Sequence, residues 1–120
     1  MNSNFLKILQ SFNFKQKNND FYYYVTPIVL SQTSRLLVVY CFKKDDKVFL
    51  CDNSQLIDAY DAPNINTKAI DKKTSMVVKT LKMGYKDGCI YKKINYKNFA
   101  TEFSEFIKSL VLIEHQLNNL

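Results

Sequence analysis

Apolar residues recur at Phe99, Phe103, Phe106, Leu110, Ile113, Leu117 and Leu120, in alternating steps of four and three, with neither Gly nor Pro between them. That spacing puts all seven on one face of an α-helix, about 33 Å long at ~1.5 Å per residue. Ile107, Val111 and Leu112 widen the stripe beyond a two-position seam. The pattern therefore predicts a core helix lying on a sheet rather than a coiled coil.

The same test, run along the rest of the chain, predicts the remaining elements. Phe5, Ile8, Leu9 and Phe12 repeat at helical spacing behind Ser3, a residue suited to cap a helix. Asn18, Asn19 and Asp20 read as a turn, and Phe21 to Pro27, rich in aromatic and β-branched residues, reads as a strand with Pro27 at its end or at an edge. Ser31 to Ser34 is a polar connection. Arg35 to Phe42 is too continuously apolar to leave a solvated face, and with Val48 to Cys51 it predicts a hairpin whose second strand is central and buried on both faces. A three-residue loop Asp45 to Lys47 would set Cys41 across from Cys51. Asp52-Asn53-Ser54 reads as a turn, Gln55 to Tyr60 as a short helical segment and Asp61 to Thr67 as a loop. Thr67 would then cap a helix with Ile70, Val77, Val78 and Leu81 on one side, and Gly84 would close it in the left-handed conformation. Asp87-Gly88 is a turn signal, and Cys89 to Ile94 predicts a strand at a sheet edge, where Lys92 and Lys93 discourage aggregation. Asn95 or Asn98 caps the last helix, with Glu102 and Glu105 near its positive end. The sum is a single α+β domain over residues 1–120. It has a three- to four-stranded, mostly antiparallel sheet, a long C-terminal helix on one face and two shorter helices.

Composition narrows this further. A chain of 120 residues with 47% hydrophobic and 14% aromatic content can bury a core without staples. The absence of a long apolar run or a signal-peptide pattern leads us to expect a cytoplasmic protein with no membrane partner. Cys41, Cys51 and Cys89 are odd in number and lack paired spacing, so reduced thiols are expected over disulfides or zinc. The net charge of +6 favours anionic partners, although lysine-rich composition by itself gives the same excess.

One resemblance adds to this reading. The short helix, the strand closing on Thr26-Pro27, the run Phe49-Leu50-Cys51-Asp52-Asn53 with Leu56 after it, Met83-Gly84-Tyr85, and Asn98-Phe99-Ala100 together resemble the small phage and bacterial proteins of the domain of unknown function 1828 family. The likeness covers roughly Asp20 to Leu117. Where that family has Asp-Asp-Gly after its third strand, Asp52 matches the first position and Asn53 and Ser54 depart from it. The resemblance implies an α+β domain carried by phages and mobile elements and implies no established activity.

Candidate chemistry is sparse. His115 alone could serve as a general base, and it stands off the main stripe. Asp45-Asp46-Lys47 fits the spacing of metal-dependent nucleases but sits at an expected hairpin tip. Asp52, Asp58 and Asp61 could offer oxygen ligands yet lack calcium-loop spacing. With Gly84 and Gly88 the only glycines, there is no phosphate loop, and no cofactor or catalytic residue is expected. What remains is recognition. Lys79, Lys82, Lys86, Lys92, Lys93 and Lys97, interleaved with Tyr85, Tyr91 and Tyr96, combine phosphate contacts with rings for stacking. A solvated helix end beside a strand edge accounts for the same residues. The leading expectation is a non-enzymatic phage-type inhibitor that docks on a host protein or protein–nucleic acid complex, such as an antiviral defence complex, through aromatic residues of Phe21 to Tyr24. Alternatives are a nucleic-acid-binding module and a metal-dependent hydrolase, and dimerisation through the last helix stays open.

Overall fold

The computed structural model describes residues 3–120. In chain order these form α1 (Ser3–Ser11), β1 (Lys15–Asn18), β2 (Phe21–Val29), β3 (Leu36–Lys44), β4 (Lys47–Cys51), α2 (Gln55–Asp58), α3 (Thr67–Thr80), β5 (Gly84–Lys86), β6 (Cys89–Ile94) and α4 (Phe99–Asn118). The strands make one antiparallel sheet in the order β1-β2-β3-β4-β6-β5. The α+β class, the antiparallel pairing and the long last helix are as the pattern predicts. The sheet has six strands instead of three or four, and three shorter helices instead of two. The additional strands carry no apolar signal: β1 is Lys-Gln-Lys-Asn, exposed throughout, and β5 is three residues long. Each exists because a tight turn folds it onto a neighbour, β1 through Asn19-Asp20, with Asp20 at φ 59°, and β5 through Asp87-Gly88, with φ of 52° and 80°.

Pro27 lies inside β2, not at its end. Pairing with β1 stops at Tyr23, so Pro27 has no partner on that side, and the register against β3 slips between Val25 and Val29. The buried Thr26 hydroxyl repairs the gap by donating to the Leu37 carbonyl at 2.8 Å and accepting from the Ile28 N–H at 3.1 Å. Asp45 and Asp46 alone form the β3–β4 turn, with φ of 52° and 62°, a left-handed pair that Asp tolerates. This two-residue turn pairs Lys44 with Lys47, so Cys41 stands opposite Leu50 and Cys51 opposite Tyr40. The expected three-residue register is thus off by one, and the two cysteines point to opposite faces.

β4 ends where two polar side chains take over its hydrogen bonding. The Gln55 amide accepts from the Val38 N–H at 2.9 Å and donates to the Val38 carbonyl, standing in for the next strand residue beside β3. The buried Asp52 carboxylate accepts from the N–H groups of Ser54 (3.1 Å), Leu56 (3.1 Å) and Ile90 (2.9 Å). It ties the start of α2 to β6. Asn66, not Thr67, caps α3 by accepting from the Ala69 N–H. The left-handed closing residue of α3 is Lys82, not Gly84. Lys82 N–H bonds to Lys79 O and Met83 N–H to Val78 O, a Schellman closure in which the chain turns two residues earlier than the glycine suggests. β6 is an inner strand rather than the sheet edge, with only Cys89 to Tyr91 covered by β5.

The main hydrophobic cluster lies on one side of the sheet. Phe99, Phe103, Phe106, Leu110, Ile113 and Leu117 of α4 are buried against Leu37, Val39, Cys41, Val48, Leu50, Ile90 and Ile94. α1 adds Phe5 and Leu9, and α3 adds Ile70, Thr74 and Val78. Leu120 lies beyond α4 and is exposed, as are Val111 and Leu112, so the buried stripe is narrower than the sequence pattern. Asn95 caps the single 3-10 turn Tyr96–Asn98 that leads into α4, and Asn98 makes no side-chain cap. The helical state already holds at Ser3, whose expected capping side chain lies outside the described residues.

Candidate binding face of the sheet

Among the described residues the other side of β1–β4 has only α2 at its margin, where Gln55, Asp58 and Ala59 lie beside Val38 and Tyr40. The alternation of each strand places Phe21 and Tyr23 of β2, Tyr40 and Phe42 of β3, Phe49 of β4 and Tyr91 of β6 there, all half-buried. The expectation that Arg35 to Phe42 lacks an outward face is therefore corrected. Leu37, Val39 and Cys41 are buried, while Leu36, Val38, Tyr40 and Phe42 look outward and are apolar because they cover one another. Of Phe21 to Tyr24, Phe21 and Tyr23 point outward; Tyr22 meets Phe5 and Tyr24 meets Phe103 beneath the helices.

The outward rings form a row across the strands. Phe21 stacks on Phe42 with centroids 5.9 Å apart, Phe42 on Phe49 at 5.2 Å, and Phe49 meets Tyr91 at 6.2 Å with the planes at 67°. Tyr91 differs from the others because its partner in β5 is Gly84. A Cβ at Gly84 would collide with three ring carbons of Tyr91, so the ring lies flat on the glycine and turns its other side outward. This is why the position is glycine, since its backbone needs no left-handed angle.

Lysines border the row. Strand alternation sets Lys15, Lys17, Lys44, Lys47, Lys86 and Lys93 on this face, and among the described strand residues it holds no Asp or Glu. Lys17 stands over the Phe21 and Tyr40 rings at 5.9 and 5.5 Å. Two hollows indent the face. One of about 540 Å³ is lined by Phe42, Lys44, Phe49, Lys86, Asp87, Cys89 and Tyr91. The other, of about 360 Å³, lies toward Arg35, Tyr40 and Asp58.

The basic and aromatic residues expected to act together are divided by the sheet. Lys86, Tyr91 and Lys93 share the open face. Lys92 points to the helix side, 3.4 Å from Glu102 and 3.9 Å from Glu105, and is occupied in a structural ion pair. Tyr85 also faces that side and its hydroxyl donates to Asp71 at 2.5 Å; burial, then this bond, pushes its pKa up. Tyr96 packs on Phe5 at 5.7 Å, Lys97 lies exposed in the 3-10 turn, and Lys79 and Lys82 sit at the end of α3. Consecutive lysines in a strand must point opposite ways, which is the signal that separates Lys92 from Lys93. Phe42, Phe49 and the lysines of β1 carry no local signal for this face, because their partners come from distant sequence.

The acidic candidates do not converge. Asp45 and Asp46 form the hairpin turn, with Asp46 3.8 Å from Lys43. Asp52 is buried and spends both oxygens on backbone N–H groups; burial raises its pKa to about 6 against the pull of those bonds. Asp58 and Asp61 are exposed, as is His115, which lies beside Asn119. Among the described residues no group of three His, Cys, Asp or Glu side chains could hold a metal ion, and no helix is long and apolar enough to cross a membrane. The chain matches no family model, no curated protein and no solved structure.

Proposed function

We propose that this protein is a non-enzymatic binding module whose open sheet face receives single-stranded nucleic acid. The observation that carries the reading is the flat Tyr91 ring at one end of an aromatic row bordered by strand lysines, with Asp87 beside Lys86 at the adjoining hollow. Stacking on rings is indifferent to sequence, and ammonium groups at the margin meet phosphates. From β1 to β6 the face is about 19 Å wide at ~4.8 Å per strand, the reach of a short extended strand rather than a duplex groove. A protein surface of the host, or a host protein–nucleic acid complex, is the second occupant the face fits, because Phe21, Phe42 and Phe49 stack on one another into a contiguous apolar row with a charged rim. Such docking would agree with the phage-type resemblance and with an inhibitory role.

The test is binding of labelled single- and double-stranded DNA and RNA at low and near-physiological salt. Preference for single strands, with log affinity falling at a slope of up to about −4 against log salt for six lysine contacts, supports the reading. Tyr91→Ala should weaken binding by about 1–3 kcal/mol, roughly 5- to 150-fold. Absence of binding by a folded protein rejects nucleic acid and leaves the protein surface, for which Phe49→Ala is the probe variant.

A further inference from the structure

Cys51 is the last residue of β4 and Cys89 the first of β6. The register pairs Cys51 with Tyr91, so the cysteines are diagonal neighbours on the same, open side, their thiols near enough to perturb each other, and the Cys89 thiol donates to the Ile90 carbonyl at 3.8 Å. Asp52 and Ile90, each next to one cysteine, are joined by two bonds, Asp52 N–H to Ile90 O at 3.0 Å and Ile90 N–H to the Asp52 carboxylate at 2.9 Å. The two strand ends that carry the cysteines are thus tied to each other. Their exposure differs: Cys51 is buried, whereas Cys89 is part-exposed and lines the 540 Å³ hollow beside Lys44 and Lys86.

The geometry points to a two-cysteine oxidation site, in which a hydroperoxide entering this hollow oxidises Cys89 and Cys51 resolves the product to an intramolecular disulfide. The Cys89 thiolate attacks the peroxide O–O bond, giving a sulfenic acid and releasing hydroxide or alkoxide that takes up a proton. Cys51 sulfur then attacks the sulfenic sulfur, forming the S–S bond and expelling the hydroxyl, which leaves as water with the Cys51 proton. Two thiols and one hydrogen peroxide yield one disulfide and two waters. The order follows from the environment. The neighbouring Cys51 thiol brings the Cys89 pKa down to about 7 against burial and the Asp52 charge, and the backbone of Asn53 and Ser54 assists. The same contact, with burial, raises Cys51. Cys41 lies buried on the helix side, its thiol pushed up by burial, and supplies an internal control.

The experiment treats the folded protein with stoichiometric hydrogen peroxide and follows intact mass and peptide maps. Loss of two hydrogens and a Cys51–Cys89 peptide are expected in the native chain and in Cys41→Ser. Cys51→Ser should stop at a Cys89 sulfenic acid that dimedone traps, and Cys89→Ser should keep its thiols. Alkylation of the unmutated chain gives a second readout, with Cys89 modified on the order of tenfold or more faster than Cys41. Equal reactivity of Cys41 and Cys89, oxidation of Cys89 to sulfinic acid with Cys51 untouched, or disulfides only between chains would overturn the assignment. None of these outcomes depends on what the open face binds.

Discussion

The two faces of the sheet are made by the same strands and differ in what lies against each. On the helix side Leu37, Val39, Cys41 and Leu50 are wholly buried, and Lys92, which faces the start of α4, is paired with Glu102 and Glu105. On the open side the central positions of β2, β3 and β4 are again apolar, yet the rings there cover one another, and the lysines beside them have no partner carboxylate in the strands. Neighbouring residues thus meet opposite environments, the helix layer at even positions of β6 such as Lys92 and the open face at odd ones such as Lys93. An apolar strand face without a covering layer is the kind of surface on which a partner gains energy that folding has left unclaimed.

The comparison can be broken at several points. Phe106→Ala empties a fully buried site beneath the sheet and should cost about 3–5 kcal/mol, whereas Phe49→Ala on the open side should cost about 1–2 kcal/mol and affect binding first; urea melts compare them. Equal losses would mean that the open row is core. Asp52→Ala orphans three backbone N–H groups and should cost about 3 kcal/mol or more. Its pH signature has a definite sign. The folded pKa of about 6 lies above the ordinary carboxylate value of 3.8, so the folded state holds the extra proton between these values. Stability from Asp52 is therefore full below about pH 4 and falls by up to ~3 kcal/mol as pH rises through 6, a slope that the alanine variant should lack. Gly84→Ala forces Tyr91 off the backbone, at about 1–3 kcal/mol, and should remove binding even where the fold survives in circular dichroism.

The finest cut is between adjacent lysines. Lys92→Glu sets three carboxylates together and should lower stability by about 1 kcal/mol with binding intact. Lys93→Glu should do the reverse, leaving the melt unchanged and weakening nucleic-acid affinity severalfold with a shallower salt slope. If both variants behave alike, the division between faces has no functional meaning.

How far the sequence carried this picture depended on the range of each signal. The α4 stripe, the Asp87-Gly88 turn and the charged β3–β4 turn are local patterns and were legible. β1 was invisible because Lys-Gln-Lys-Asn owes its conformation to the neighbour it pairs with. A run such as Leu-Leu-Val-Val-Tyr-Cys-Phe looks buried on both faces because period-2 alternation vanishes when the outward residues are also apolar. Asp52 was read as a turn former and proved to be a tie between elements 38 residues apart, which no local pattern encodes. At the candidate site Lys86, Tyr91 and Lys93 were found, but the rings that accompany them come from β2, β3 and β4.

The position of α4 in the chain also sets a clock. β1 to β4 form a meander of adjacent hairpins that needs nothing later in the sequence, whereas the helix covering it starts at Phe99. During synthesis at ~5–20 residues per second, the residues separating Cys51 from Phe99 take about 2–10 s to appear. For that interval Leu37, Val39, Cys41 and Leu50 lack α4 and have only the earlier α1 to cover them, while the rings of the other side are open as well. Chaperone capture on the ribosome should concentrate in that window and end once the last helix has emerged.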